Sequence, residues 1–309
     1  MKVAVIGAGP AGMTAGYELS KKIKQVEVFE ASSSVGGMSK TIELWNQKVD
    51  VGPHRFFSSD NRINELWLEV VGRDYEMVDR LTRIYYNKKF FHYPIKGMDA
   101  LKNLGLIEAA RCMTHYGMEK ISPTKDISSF EGWVTNRFGK RLYQIFFKTY
   151  TEKLWGIPCN ELDADFAAQR IKKFSLGEAV KTALFGNKGE HKTLVDQFAY
   201  PHGGTGMVYE RMSAFVKTQG GEVNISTPVH RIITKNNKIK ALEFEDGTVK
   251  DYDHVVSSMP LTLMVQRLPE VPDKVKEAAA SLKFRNTIIV YLNINQKDFN
   301  NNFYHGRRV

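Results

Sequence analysis

The segment Gly7-Ala8-Gly9-Pro10-Ala11-Gly12 constrains this chain more than any other feature, because of what flanks it. Residues 2–6 form a short run rich in Val and Ile, which suits a buried strand. Residues 13–19 are small and apolar at helical spacing, and residues 25–29 read as a second strand ending at Glu30. In such a unit Gly7 allows the tight turn, Gly9 admits a pyrophosphate close to the backbone, and Gly12 lets helix and strand pack closely. Pro10 and Ala11 open the helix, whose N-terminus offers free N–H groups and a positive dipole end to phosphates. Glu30, 18 residues after Gly12, can accept both hydroxyls of a ribose. A lone GxGxxG says little, but strand, helix, strand and terminal acid in register predict a dinucleotide site. The bland alternative is a glycine-rich turn with no ligand.

The chain continues Ser32-Ser33-Ser34-Val35-Gly36-Gly37-Met38-Ser39. A Gly-Gly pair at this distance from the acid lets the backbone pass close to a second part of the cofactor. The arrangement resembles the extended fingerprint of the amine oxidase and glutathione reductase-like flavoproteins. That resemblance implies FAD rather than NAD, contacted by Gly7, Gly9, Pro10, Ala11, Gly12, Glu30, Ala31, Gly36, Gly37, Met38 and Ser39. It also implies an α/β fold, a Rossmann-like (GR2-type) FAD-binding domain with an inserted substrate domain of mixed helix and β-sheet.

Downstream, Asp50-Val51-Gly52-Pro53-His54-Arg55-Phe56-Phe57 follows an expected strand at 48–51, and Gly-Pro places His54 and Arg55 on a loop. Residues 60–79 read as helix, and residues 83–93 as a hairpin broken by Asn87-Lys88-Lys89. Residues 98–190 read mainly as amphipathic helix, with breaks at 122–123, 156–158 and 186–189. After Gly203-Gly204-Thr205-Gly206 a helix is expected over 207–218. Strands are expected over 222–225, 229–235, 238–244, 249–252, 254–258 and 287–294. The ordering predicts a discontinuous FAD-binding domain, 1–58 plus 195–265, and a substrate domain, 59–194 plus 266–309.

Three stretches resemble UDP-galactopyranose mutases: Gly52 to Phe57, Tyr93-Pro94-Ile95, and FEGWVTNRFGKRLYQIFFKTYTEKLWG over 130–156. The resemblance covers most of residues 1–180; beyond that it is general to flavin amine oxidases. It implies isomerisation of a UDP-sugar from pyranose to furanose through an adduct with reduced FAD, for surface polysaccharide or lipopolysaccharide synthesis, with a flavin reductant of unknown identity. By the same resemblance His54 lies beside the flavin, with Gly52, Pro53, Arg55 and Val229 as further cofactor contacts. Phe146, Tyr150, Thr151 and Trp155 would hold the UDP portion; the alternative for them is a packed helix face, since Phe146 and Tyr150 are four apart. A gapless alignment puts Lys173 where the family has its pyrophosphate-binding arginine. Lysine keeps the charge but loses the bidentate fork, and Arg170 is a neighbouring substitute. Phe57 replaces the second histidine of the family's Gly-Pro-His-x-Phe-His. Nothing after Met259 resembles the family's late Gly-Asp segment, so the expectation is a chain holding the first two thirds of that fold, impaired in catalysis.

Two other readings stand beside this one. A flavin amine oxidase or protoporphyrinogen oxidase-like oxidoreductase shares the fingerprint but leaves 150–156 unexplained. A non-catalytic GDP-dissociation-inhibitor-like protein has a related fold, but the intact glycines and Glu30 serve a dinucleotide. The balance of 44 Lys and Arg against 34 Asp and Glu, net +10, favours anionic ligands. The basic residues are scattered, without a nucleic-acid motif. No run of 18 apolar residues predicts a membrane span, and no signal-peptide pattern opens the chain. Cys112 and Cys159 have no metal-ligand spacing, so no metal site is expected; reduced thiols and a cytoplasmic location are. A homo-oligomer is an open expectation.

Overall fold

The computed structural model describes residues 1–79, 83–92, 103–171, 197–236, 238–284 and 286–293. These fall into two compact units, the first made of 1–79 with 197–293 and the second lying within 83–171.

The first unit is built on a four-stranded parallel sheet in the order β13-β1-β2-β9. Its strands are β1 (Lys2–Ile6), β2 (Gln25–Phe29), β9 (Glu222–Asn224) and β13 (His254–Ser257). β1 and β2 are almost wholly buried, as parallel strands covered on both faces must be. Alternation then sorts the side chains. Val5, Val26 and Val28 face α1 (Pro10–Ser20) and the later helix Gly206–Thr218, packing with Met13, Tyr17, Met212 and Val216. Ala4, Ile6 and Phe29 face the other way and pack with Val229, Ile232, Leu242 and Phe244. Those four belong to an antiparallel sheet of β10 (Val229–Lys235), β11 (Lys238–Phe244) and β12 (Val249–Asp251). The result is a three-layer α/β unit, as expected.

One carboxylate lies inside this sandwich. Glu27 is buried and receives hydrogen bonds from Tyr252 (2.8 Å) and Lys250 (3.1 Å), with Lys2 Nζ at 2.8 Å. Burial alone would raise its pKa, but these three partners outweigh burial and hold the carboxyl below its ordinary value of 4.5. A depressed folded-state pKa contributes stability that is complete above the unfolded value and is lost as pH falls through the folded one. Glu27→Gln should therefore flatten the dependence of stability on pH below about 4.5. Urea midpoints across that window check it; a slope equal to wild type would remove Glu27 from the acid response.

Several elements differ from the sequence reading. The helix expected over 60–79 is α2 (Asn61–Val71), capped by Asp60, whose side chain accepts from Arg62 N. It stops at Gly72, with φ 64°, and residues Tyr75–Asp79 form β5, paired antiparallel with β8 (Gln197–Pro201). Residues 59–79 thus join the first unit rather than the segment after them. The same holds for 266–293, which carries the α-helix Asp273–Ser281; neither that helix nor the one before it, Leu261–Arg267, is expected from the sequence. The hairpin of β3 (Thr41–Leu44) and β4 (Gln47–Asp50) turns at Trp45 and Asn46, both at positive φ, without a glycine to announce it. The strand expected over 287–294 is not formed over its described residues. Ile288, Val290 and Leu292 are exposed there, while the Tyr291 hydroxyl donates to the Asp50 carbonyl at 2.7 Å.

The second unit carries the hairpin β6 (Arg83–Tyr86) and β7 (Lys89–His92), then helices α3 (Leu106–Ile121), α4 (Phe130–Phe138), α5 (Thr149–Trp155) and α6 (Ala164–Ile171). Its core gathers Phe91, Cys112, Phe130, Val134, Phe138, Tyr143 and Phe146. Residues Tyr143–Lys148, just before α5, are wound as a π-helix, a form that is rare and costs regular packing. Cys112 and Cys159 are buried free thiols, and burial pushes Cys112 up to about 11. Among the described residues no helix is long and apolar enough to cross a membrane, and no cluster of metal-ligating side chains occurs.

Candidate functional site

The carboxyl ends of β1 and β2 build a cradle from backbone. Gly7 N donates to Phe29 O (2.7 Å), which ties the turn after β1 to the end of β2. Gly9 caps α1 without any side-chain bond, Pro10 occupies the first turn, and Pro10 and Ala11 are exposed. An open helix N-terminus of this kind suits a phosphate. Gly12 sits so close beneath the turn that a Cβ on it would lie 1.8 Å from Gly7 O.

The second glycine loop closes on the first. Gly36 N donates to Ala8 O (2.8 Å), and a Cβ on Gly37 would come within 3.0 Å of Gly9 Cα. Gly37, at φ 53°, is the position where a side chain would crowd the first loop; a Cβ on Gly9 would meet Gly37 only at 3.9 Å. Ser39 is buried and bonds Tyr209, while Met38 is exposed. Glu30 stands over the turn. One carboxylate oxygen accepts from Ala8 N (2.7 Å) and the other from Ser32 N (2.8 Å). Each oxygen keeps a further lone pair for a hydroxyl. Ala31 beside it is exposed. The cradle therefore fits a dinucleotide: pyrophosphate at the α1 N-terminus, ribose at Glu30. Glu30→Gln would set an NH₂ against one of two backbone N–H donors. It should weaken FAD binding by about 10- to 100-fold, read by quenching of flavin fluorescence; unchanged affinity would mean Glu30 serves only the turn.

The Gly52–Arg55 loop is held to the same region. Gly52 has φ 98°, and His54 Nε2 lies 2.7 Å from Met38 O and 2.9 Å from Val51 O. Two carbonyl acceptors require a proton on Nε2, which leaves Nδ1 as the nitrogen able to exchange one. Pro53 is exposed, and the Arg55 guanidinium lies 5.2 Å over the Phe198 ring. Phe56 stacks on Trp67 with centroids 4.5 Å apart, and Phe57 is exposed. Val229 puts its side chain in the core between the sheets, so only its backbone faces elsewhere.

The residue that organises this loop is one the sequence reading does not single out. Asp50 accepts from Thr41 Oγ1 (2.5 Å), Tyr200 OH (2.8 Å), Thr205 Oγ1 (2.7 Å) and Thr205 N (3.0 Å). Thr41 Oγ1 in turn accepts from Gly206 N (2.8 Å). An acid at a strand end, immediately before Val-Gly-Pro, together with a distant Gly-Gly-Thr-Gly, was the available signal.

In the second unit the four expected nucleotide contacts divide. Phe146 is buried, 6% exposed, with its ring edge-on to Phe91 at 5.2 Å, and Thr151 is buried as well. Tyr150 is 69% exposed, and Trp155 is partly exposed beside Phe166. The π-helical winding breaks the i,i+4 register of an α-helix, so Phe146 and Tyr150 do not share a face. Arg170 lies in the last turn of α6, and Lys173 and residues 93–95 lie outside the described residues.

The model of the flavin containing amine oxidoreductases matches residues 10–303. The chain belongs to this family. A member of it is expected to hold FAD, and the cradle suits that cofactor. Among curated relatives, a probable UDP-galactopyranose mutase of Klebsiella pneumoniae is 26% identical, over 84% of this chain and 60% of its own. A neurosporene-forming phytoene desaturase of Rhodobacter capsulatus is 25% identical, over 83% and 52%. Coproporphyrinogen III oxidase of Staphylococcus aureus is 24% identical, over 84% and 60%. The chain thus spans a little over half the length of these relatives. A crystal structure of reduced UDP-galactopyranose mutase superposes with TM-score 0.77 at 21% identity, covering 90% of this chain and 59% of that one. That likeness concerns the fold. Family membership favours the two flavoenzyme readings over the non-catalytic one.

Proposed function

We propose that this flavin amine oxidoreductase-family chain is, in its activity, a UDP-galactopyranose mutase-like isomerase. It would interconvert pyranose and furanose forms of a UDP-sugar with no net redox change, in cytoplasmic synthesis of a surface polysaccharide. The observation that carries the reading is the pinned His54, whose loop is anchored to the second glycine loop. Likeness to the probable UDP-galactopyranose mutase of Klebsiella pneumoniae supports it. Bound FAD, in reduced form, would supply the electron pair for opening and reclosing the sugar ring.

The chain's own residues bind and orient. The α1 N-terminus and Gly9 would hold the pyrophosphate, and Glu30 the ribose. His54 would hold or move a proton at Nδ1, its ring fixed by the two carbonyls on Nε2. The second unit would bind the substrate nucleotide. Tyr150 and Trp155 offer aromatic faces to a uracil, with Arg170 or Lys173 on the phosphates. Phe146 and Thr151, being buried, would shape the helix that presents them.

The second reading is an oxidoreductase that passes electrons to an acceptor. It is favoured by the exposed Phe57 where the mutases have a histidine, and by the likeness to a desaturase and a porphyrinogen oxidase. One experiment separates the two. The chain is loaded with FAD, reduced with dithionite, and given UDP-galactopyranose or UDP-galactofuranose. Ring interconversion with no dye reduced supports the isomerase. Bound, reducible flavin without interconversion overturns it, and substrate-dependent dye reduction establishes the oxidoreductase.

A further inference from the structure

The helix that carries Tyr150 and Trp155 is short, and its approach is irregular. α5 has seven residues and continues directly from the π-helical Tyr143–Lys148. A π turn gives up regular packing and recurs at functional sites, and a helix of two turns is marginal by itself. Exchanging the π turn for α winding would turn α5 by about 100° relative to the residues before it. That rotation would carry Tyr150 and Trp155 off the face they now present. Contacts from outside the helix therefore decide its rotation.

The segment that follows α5 supplies them. Gly156, in the left-handed region at φ 68°, donates its N–H to Glu152 O at 2.7 Å and reverses the chain. Three residues on, Cys159 packs in the core of the second unit with 0% exposure. Each of its polar groups bonds a different place. Its N–H donates to Glu152 Oε1 at 3.3 Å, in the first turn of α5. Its thiol donates to Lys148 O at 3.8 Å, where the π turn passes into α5. Its carbonyl accepts from Glu131 N at 3.1 Å, in the first turn of α4. Two bonds thus grip the beginning of α5, and the third ties that grip to a core helix. Burial holds the thiol above its ordinary pKa, so it stays protonated and remains a donor. Lys148 Nζ lies 3.9 Å from the Glu152 oxygen that Cys159 uses, and the Glu152 side chain is one-third exposed.

We propose that Glu152 and Cys159 are positioning residues for nucleotide binding: together they fix the rotation of α5 and so set Tyr150 and Trp155 toward the substrate. The inference rests on the reading of the second unit as the site of a UDP moiety.

Calorimetric titration of UDP into the FAD-loaded chain tests it. Glu152→Ala and Cys159→Ala should each weaken UDP binding by about 10-fold, because a helix that must be ordered on binding adds that cost to Kd. Glu152→Gln keeps an acceptor oxygen for Cys159 N and should bind within about twofold of wild type. Its behaviour separates positioning from charge. A Glu152 that acted only by repelling an anionic nucleotide would give tighter binding in both Glu152→Ala and Glu152→Gln. The emission of Trp155, taken as the difference between each chain and its Trp155→Phe counterpart, gives a second readout. It should move in the two alanine variants and stay in Glu152→Gln. Circular dichroism melts set a temperature at which every variant is folded, and Glu152→Ala, at a partly exposed position, keeps the test open if Cys159→Ala does not fold. Unchanged UDP affinity and Trp155 emission in the alanine variants overturn the proposal, and so does tighter binding in both Glu152 variants. A wild-type chain that binds no UDP overturns the nucleotide reading, and this proposal with it.

Discussion

Gly12→Ala is expected to destabilise the first unit by about 3 kcal/mol or more and to abolish FAD uptake. The backbone of Gly12 is ordinary helix, so the cause is purely steric. An added methyl would stand 1.8 Å from Gly7 O and 2.7 Å from Ser258 Oγ. The carbonyl cannot yield alone. Gly7 N is bonded to Phe29 O, and Ser258 Oγ donates to Ile6 O at 3.0 Å and to Gly7 O at 3.3 Å. Relief therefore means lifting α1 off β1, at the place where the pyrophosphate would rest. Gly117→Ala provides the control. It is also helical but has open space around it, so it should gain about 0.5–1 kcal/mol from lower unfolded-state entropy. Denaturant midpoints for both, with flavin fluorescence for the first, make the check. A Gly12→Ala protein that melts and binds FAD as wild type does would show that helix and strand are not in this close contact.

How much of this was legible beforehand follows from the range of the interactions. The β1-α1-β2 unit was readable because each of its requirements is local: an apolar run, glycines at fixed offsets, an acid at the strand end. Its partners β9 and β13 were readable as strands, though their order in the sheet was not. The β3–β4 hairpin hid because Trp45 and Asn46 make its turn without glycine. β5 hid because its partner, β8, lies more than a hundred residues away, and the apolar pattern of 60–79 passes equally for a longer helix. In the second unit the aromatic run 143–155 was visible, but the π-helical turn that sends Phe146 inward and leaves Tyr150 outside is set by packing and has no local signature. The Asp50 cluster combines both difficulties, since it joins the β3–β4 hairpin to residues 200–206, about 150 positions away.

That cluster gives the second large effect. Asp50→Ala should destabilise the first unit by about 3 kcal/mol, from hydrogen bonds to a charged acceptor that are individually worth about 1.5–3 kcal/mol and do not add. Three hydroxyl donors can turn toward water; Thr205 N, fixed at the start of the helix after β8, cannot. Asp50→Asn keeps an acceptor for Thr41 and Thr205 N. Its NH₂ would face Tyr200 OH and Thr205 Oγ1, both of which can rotate to accept, so it should lose only about 1 kcal/mol. Thr41→Val should fall between them, because Thr41 Oγ1 both donates to Asp50 and accepts from Gly206 N. Melting temperatures are expected to descend from wild type through Asp50→Asn and Thr41→Val to Asp50→Ala. The consequence reaches the site because Asp50 is two residues from Gly52, whose N donates to Asp50 O at 2.8 Å. The loop carrying His54 thus starts from an anchored residue. Releasing the anchor should lower FAD affinity in the same order as it lowers stability. If affinity falls in Asp50→Ala while stability holds, Asp50 touches the cofactor itself. If stability falls while affinity holds at temperatures where the chain is folded, the cluster fastens β3, β4 and β8 together without orienting His54.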